Sequence, residues 1–480
     1  MKTLIGRQEE QEILRKALAS TEAEMVAIIG RRRVGKTYLV EQVYQDRIFF
    51  QITGLQKQSM QKQLRNFQDQ LSEFAQSSLP IQLPKDWLEA FQLLRTYLKT
   101  KVGKQKIVLF FDELPWLATH KSGFLSAFGY FWNTWAVKQN LVLVICGSAA
   151  SWMIKRVVNN KGGLHNRITK RIYLEPFTLS ETAAYLENRN IHFNQYQIVQ
   201  IYMAMGGIPH YLKEIEGGKS AVQNIDYICF SKNGLLRDEF LRLYASLFSN
   251  AEKHYAIVRA LATKRQGLTR KELVKLAKIS DGGGLSKVLS ELVHSGFISI
   301  YPVFGKKQRN KLYRLTDEYS LFYLQFIEHK EHKEHQGKDI WQHLSQSAQY
   351  VAWSGYTFES ICLKHIAQIK DALKISGIYS YASSYYQKGD DTQKGVQIDL
   401  LIDRNDQVIN LFELKFYKES FTLTKDYAAQ LRQKMAAFRY HTQTRKQLFW
   451  VLLSPFDLNP NKHSLGLISQ SLTIDDLFRD

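Results

Sequence analysis

Eight consecutive residues constrain this chain more than any others. Gly30-Arg31-Arg32-Arg33-Val34-Gly35-Lys36-Thr37 match GxxxxGK[ST] at every position. An apolar run at 25–30 precedes them and a helical-looking stretch at 38–45, opening on Tyr38, follows. Strand, glycine-rich loop and helix are the context in which such a loop cradles phosphate. The glycines let backbone N–H groups curve around an anion, and the helix N-terminus adds the positive end of its dipole. Lys36 is then expected to reach β- and γ-phosphates, and Thr37 to offer a hydroxyl to Mg²⁺. An accidental match in a chain this long is on the order of 1 in 100.

The flanking sequence reads as an α/β core. Apolar runs at 107–111, 141–146 and 171–174 join the run at 25–30. Continuous apolar runs of this length suit parallel strands buried on both faces, with the intervening segments as crossover helices. The run at 107–111 ends in Asp112-Glu113, where ligands bind in open α/β sheets. Asp112 is placed to hold Mg²⁺, and Glu113 to orient or deprotonate an attacking water. Ser148, after the run at 141–146, is either a γ-phosphate sensor or a turn serine.

With 480 residues, the chain has room for roughly three domains of ~100–200 residues. No stretch approaches the ~20 apolar residues of a membrane span. The first residues lack an apolar signal region, so a cytoplasmic location is expected. Cys146, Cys229 and Cys362 lie far apart among apolar neighbours and read as small buried hydrophobes.

Charge is unevenly spread. Residues 251–315 hold 14 Lys and Arg against 4 Asp and Glu, half of the chain's +20, whereas 341–480 hold 16 against 14. The basic segment reads as helices at 255–262, 270–278 (capped by Thr269 with Glu272) and 285–294, then apolar runs at 297–304 and 312–315. Three short helices and a basic hairpin make a winged helix-turn-helix. Lys287 faces outward on the expected recognition helix, and Lys306, Lys307, Arg309 and Lys311 on the wing could neutralise phosphates. DNA is the expected partner, with a protein-binding winged helix as the alternative. A charged run at 328–338 follows, with His329, His332 and His335 at every third residue. It reads as a solvated linker.

The last segment carries a second constellation. A hairpin pattern spans 396–403 and 408–417. Asp399 lies on its first strand; Glu413 and Lys415, two residues apart, project from one face of its second. Charges inside so apolar a run are costly unless compensated. Asp399 and Glu413 offer hard oxygen ligands to Mg²⁺, and Lys415 can orient water or stabilise a pentavalent phosphate.

Two family resemblances attach to these residues. Over about 5–212 the chain resembles the AAA+-related prokaryotic ATPases often called the archaeal ATPase family, near the STAND NTPases. The likeness rests on Ile5-Gly6-Arg7, the phosphate loop, Phe111-Asp112-Glu113, Cys146-Gly147-Ser148 and Gly206-Gly207-Ile208-Pro209. It implies that Gly6, Arg7 and Pro209 lie near adenine and ribose, and that Arg167 stands at the arginine-finger position, with Arg156 and Arg171 as competitors. No sensor-2 arginine is found; the Gly-x-Pro element stands there, which argues against a ring-forming motor. Over about 354–453 the chain resembles the PD-(D/E)XK nucleases. That likeness adds Glu359 as the upstream helical carboxylate, and Gln430 and Lys434 on the downstream helix as phosphate contacts.

The expected fold is therefore α/β and multidomain: an AAA+-type P-loop core (1–178), a helical lid (179–249), a winged helix (250–327), a charged linker (328–340) and a restriction-endonuclease-like domain (341–480). The expected function is an ATPase fused to a Mg²⁺-dependent DNA nuclease. The alternative is a STAND-like switch that binds nucleic acid or protein without cutting. Oligomeric state stays open.

Overall fold

The computed structural model describes residues 4–76, 81–160, 162–248, 250–264, 266–305, 311–328, 339–388 and 395–479. The chain divides into two compact units: residues 1–176 with 246–249, and residues 177–245 with 250–480.

In the first unit, strands β1 (Glu24–Ile29), β2 (Ile48–Thr53), β3 (Ile107–Asp112), β4 (Leu141–Gly147) and β5 (Lys170–Tyr173) form one parallel sheet. Its order is β2-β3-β4-β1-β5. β1, β3 and β4 are buried along their whole length, which explains their unbroken apolar sequences. β2 is not among the strands expected from the apolar runs. It is an edge strand whose middle carries Gln51, and only Phe50 and Ile52 are fully covered.

Helices close the sheet for visible reasons. Asp86 caps the helix Trp87–Leu98 by accepting from the Glu89 N–H. Trp87, Ala90, Phe91, Leu94 and Leu98 then recur at helical spacing on its buried face. Trp87 meets Phe124 edge-on at 4.7 Å, and Phe91 stacks on Phe131 at 5.2 Å. Each such ring contributes about 1.5–3 kcal/mol by leaving water.

The second unit begins with the helices Leu179–Glu187 and Ala221–Phe230, each opened by a capping box, with Gln195–Met205 and Pro209–Leu212 between them. The basic segment follows as Glu252–Ala262, Arg270–Ala277 and Gly283–His294, and the Thr269–Glu272 capping box is present. Antiparallel strands β6 (Ile298–Tyr301) and β7 (Leu312–Leu315) complete it. β6 stops sooner than its apolar run because Pro302 has no N–H to continue the ladder. Lys306, Lys307 and Arg309, and the histidine run at 328–338 from His329 onward, lie outside the described residues.

Next come the helix Ala348–Lys364 and a mixed sheet. Strands β8 (Ser380–Gln387), β9 (Val396–Arg404) and β10 (Val408–Leu414) are antiparallel. Short β11 (Phe421–Thr422) leads to the helix Lys425–Thr442, which crosses over to β12 (Gln447–Ser454), parallel to β10. Short β13 (Leu458–Asn459) pairs with β11, and β14 (Ile468–Thr473) adds parallel to β12. The order is β14-β12-β10-β9-β8. β10 ends at Leu414, three residues before the expected end. There Phe416 turns onto Phe358 at 5.3 Å and Tyr196 at 5.1 Å.

Candidate functional site

β1, β3 and β4 run parallel, so their carboxyl ends share one edge of the sheet. The phosphate loop, Asp112-Glu113 and Ser148 all leave from that edge. Gly30 is required by close approach: a Cβ there would come within 2.3 Å of the Leu174 carbonyl oxygen. Gly35 is required by conformation, with φ at 93° as it caps the helix Lys36–Tyr44. Lys36 is 5% exposed, and its Nζ donates to the carbonyls of Gly30 at 2.9 Å and Arg31 at 3.0 Å. The ammonium is thereby held within the curve of the loop. Arg31 is buried, the Arg32 guanidinium lies 5.8 Å from the Trp116 ring, and Arg33 takes a left-handed φ of 74°. Val34 is buried and Tyr38 exposed.

Thr37 Oγ1 donates to Asp112 Oδ2 at 2.7 Å. The other oxygen, Oδ1, accepts from the Glu113 N–H at 2.8 Å and the Cys146 thiol at 2.5 Å. Burial, reinforced by the neighbouring Asp112 carboxylate, pushes the Cys146 thiol well up, so it stays protonated and donates. A hydroxyl and a carboxylate oxygen thus converge as hard donors, a set that fits Mg²⁺.

Glu113 sits at a left-handed φ of 46°, a conformation costing about 1–3 kcal/mol for a non-glycine residue. Its Oε2 accepts from the Ser148 N–H at 3.0 Å and the Ser148 hydroxyl at 2.9 Å. Ser148 therefore fixes the carboxylate. Neither this pairing nor the Cys146 contact has a local sequence signal, because both form only when β3 and β4 lie side by side. Gly6 and Arg7 both take left-handed φ, at 63° and 60°, where they open the helix Gln8–Ala19. Arg156, Arg167 and Arg171 are exposed. In the second unit Pro209 opens a short helix. The preceding Gly207 packs so tightly that a Cβ would lie 2.0 Å from the Phe177 carbonyl oxygen.

A second cluster lies on the mixed sheet. β9 and β10 pair Phe412 with Leu400 as the last rung of their ladder, and Glu413 and Asp399 are the next residue on each strand. Glu413 is 6% exposed and meets Lys415 at 2.9 Å and Lys434 at 3.0 Å, and it accepts from the Tyr427 hydroxyl. Burial alone would raise its pKa, but Lys415, Lys434 and Tyr427 together hold it below the ordinary glutamate value. Burial works against the Lys415 charge, yet the adjoining Glu413 carboxylate pushes its pKa up. Asp399 accepts from Gln397 at 2.6 Å.

Glu359, on the helix Ala348–Lys364, is pushed up to about 8, first by burial and next by Asp399, with Arg314 and Lys415 opposing. Glu359 thus belongs to the same electrostatic cluster as Asp399, Glu413 and Lys415. Lys434 contacts Glu413, while Gln430 on the same helix is exposed. Lys311 is exposed, and Lys287, exposed on its helix, lies 3.8 Å from Glu291. Tyr427, Gln397 and Arg314 are members of the cluster that the sequence motifs do not single out. Tyr427 has a signal: it lies seven residues before Lys434 on one helix, hence on the same face.

Among the described residues, no group of three or more His, Cys, Asp or Glu side chains is arranged to hold a metal ion, and no helix is long and apolar enough to cross a membrane.

The parallel sheet and its loop define a P-loop nucleotide-binding domain of AAA+-like type. Residues 4–215 match the family model described as an ATPase domain predominantly from Archaea, so this part of the chain is an archaeal-type P-loop ATPase domain. An uncharacterized protein of Methanocaldococcus jannaschii is 23% identical over 423 residues, covering 86% of this chain and 87% of that one. A Walker-type ATPase of Pyrococcus abyssi is similar in structure, with a TM-score of 0.50 and 16% identity. It covers 67% of this chain and 96% of its own.

Proposed function

We propose that this chain is an ATPase joined to a Mg²⁺-dependent DNA nuclease, with ATP binding and hydrolysis controlling DNA binding or cleavage. The observation that carries the reading is Glu413: buried, held by Lys415 and Lys434, and sharing with Asp399 the electrostatic influence on buried Glu359. The chain order also supports it, with a helix, three antiparallel strands, a crossover helix and a parallel strand.

In the first unit Lys36 contacts the β- and γ-phosphates, the loop N–H groups bind the phosphate chain, and Thr37 with Asp112 holds Mg²⁺. Glu113 takes a proton from the attacking water, and Ser148 keeps it aimed. Gly6 and Arg7 serve adenine and ribose, and Arg167 is the arginine finger. The proposed division is core 1–178, lid 179–249, winged helix 250–327, linker 328–340 and nuclease-like domain 341–480.

In the last segment Asp399 and Glu413 would hold a divalent ion, which when bound activates the phosphodiester as a Lewis acid. Lys415 stabilises charge on the phosphate, and Glu359 holds a proton nearby. Lys287, Lys306, Lys307, Arg309, Lys311, Gln430 and Lys434 bind the nucleic-acid backbone.

A second reading, a switch that binds without cutting, is favoured by one observation. Both oxygens of Glu413 already carry a cation or a phenol. The test is a panel of linear, circular, single-stranded and branched DNA, with and without Mg²⁺ and ATP. Cleavage by the wild type that disappears in Glu413→Ala supports the nuclease. Cleavage that survives in Glu413→Ala overturns it, and binding without cutting by the wild type selects the switch.

A further inference from the structure

The basic segment and the mixed sheet share a cleft. Val303, just beyond β6, bridges to Ser384 on β8, and the Phe304 N–H donates to the Ser384 carbonyl at 2.9 Å. The Phe304 ring packs on Phe438 at 5.4 Å. Beside this seam lies a cavity of ≈ 310 Å³, within the range of small-ligand pockets.

The lining runs directly to the carboxylate cluster. Arg314, on β7 and 4% exposed, lies 5.0 Å from the Tyr301 ring and donates through Nε to the Gln266 carbonyl at 3.0 Å. The Gln266 side chain donates to Gln397, and Gln397 donates to Asp399 at 2.6 Å. On the β8 wall Tyr386 is 37% exposed. Tyr385, 5% exposed, turns its ring edge-on to Phe438 at 4.8 Å and anchors that wall. Lys264 stands at the rim, sharing its charge with Glu272 at 2.5 Å.

Cations for a phosphate, an aromatic face for a base and amides for its edge are the means by which proteins hold single-stranded nucleic acid. Apolar Val303, Leu312 and Ile398 also line it, as suits a flat ring. We propose that this cleft is a nucleotide subsite, taking one nucleotide of a single strand beside the phosphodiester at Asp399, Glu413 and Lys415. Tyr386 stacks the base, the Gln266 and Gln397 amides bond its edge, and Lys264 and Arg314 meet phosphate. The basic segment is then part of the site as well as a tether to DNA. The subsite rests on the nucleic-acid reading of the C-terminal segment and is independent of cutting.

The experiment uses the full chain in EDTA, which prevents metal-dependent cleavage. A short single-stranded oligodeoxynucleotide carrying 4-thiothymidine is photo-crosslinked and the adducts are mapped by mass spectrometry. Adducts on Lys264 or Tyr386 are expected. By fluorescence anisotropy, Tyr386→Ala and Lys264→Ala, neither in the buried core, each weaken binding by about ten-fold. Adducts only elsewhere with unchanged affinity, or no binding at all, overturn the subsite. A wild type that crosslinks elsewhere in EDTA yet cuts the same DNA when Mg²⁺ replaces EDTA overturns it and leaves the nuclease standing. A wild type that crosslinks in the cleft in EDTA and does not cut with Mg²⁺ supports it and removes the nuclease.

Discussion

Thr37 Oγ1 and Asp112 Oδ2 meet at 2.7 Å although 75 residues separate them in sequence. The pair joins the phosphate loop to the end of β3, and the Cys146 thiol and the Glu113 N–H hold the other Asp112 oxygen. Hard donors are thus fixed by backbone and by a neighbouring strand, and Glu113 is left to Ser148.

This division of labour predicts different losses. Glu113→Gln should cut ATP turnover by about 100-fold or more while nucleotide affinity stays nearly unchanged. Ser148→Ala should cost about ten-fold, since the Ser148 N–H still holds Glu113. Single-turnover hydrolysis beside equilibrium nucleotide binding separates the effects. Equal losses of binding and turnover would remove Glu113 from the chemical step.

Gly30→Ala forces a methyl to within 2.3 Å of the Leu174 carbonyl oxygen. Backbone cannot move aside as a side chain can, so the variant should lose about 1–3 kcal/mol of stability and most nucleotide affinity. Denaturation with and without ATP checks both. A variant with wild-type midpoint and wild-type affinity would show that the loop is not packed this way.

His365 gives a pH dependence. Its Nδ1–H donates to the Ile361 carbonyl at 2.8 Å, and Nε2 accepts from the Leu179 N–H at 3.2 Å. Burial, helped by Lys364 and opposed by the Ile361 bond, pushes its pKa down to about 4. An unfolded histidine titrates near 6.5, so between these values the unfolded chain binds more protons. The His365 contribution is therefore complete above about pH 6.5 and declines as pH falls toward 4, by up to about 3 kcal/mol. Urea titrations across this range should show a loss that His365→Gln abolishes. Parallel pH profiles for the two proteins would contradict it.

Lys415 and Lys434 both contact Glu413, yet their removal should have opposite consequences. Lys415→Ala should reduce DNA cleavage by about 100-fold, as loss of a charge acting on the reacting phosphate does. Lys434→Ala removes a cation that competes with Mg²⁺ for Glu413 and should lower the Mg²⁺ concentration giving half-maximal cleavage. A Mg²⁺ titration of both variants reads the difference. A higher Mg²⁺ requirement in Lys434→Ala would show that Lys434 supports the metal site.

Local motifs are legible in the amino-acid sequence by themselves. The phosphate loop needs only its own residues and the strand before it, and the Thr269–Glu272 capping box only four. The β9–β10 hairpin is legible because a short turn fixes its own register. Contacts between distant strands are not: Ser148 on Glu113, and Cys146 on Asp112, follow from the β3–β4 pairing. The Lys434 contact with Glu413 is not legible, because helical position gives a side chain's direction and not its partner. β2 escapes detection because at the edge of the sheet its apolar pattern is incomplete.

The proposed function gives one chain two catalytic sites, the first governing the second. It is tested most directly by following ATP turnover and Mg²⁺-dependent DNA cleavage together in the wild type, Lys36→Ala and Glu413→Ala. Glu413→Ala should stop cleavage and keep ATP turnover, while Lys36→Ala should stop turnover and make cleavage indifferent to added ATP. Wild-type cleavage by Glu413→Ala, or a full ATP response in Lys36→Ala, would contradict the account.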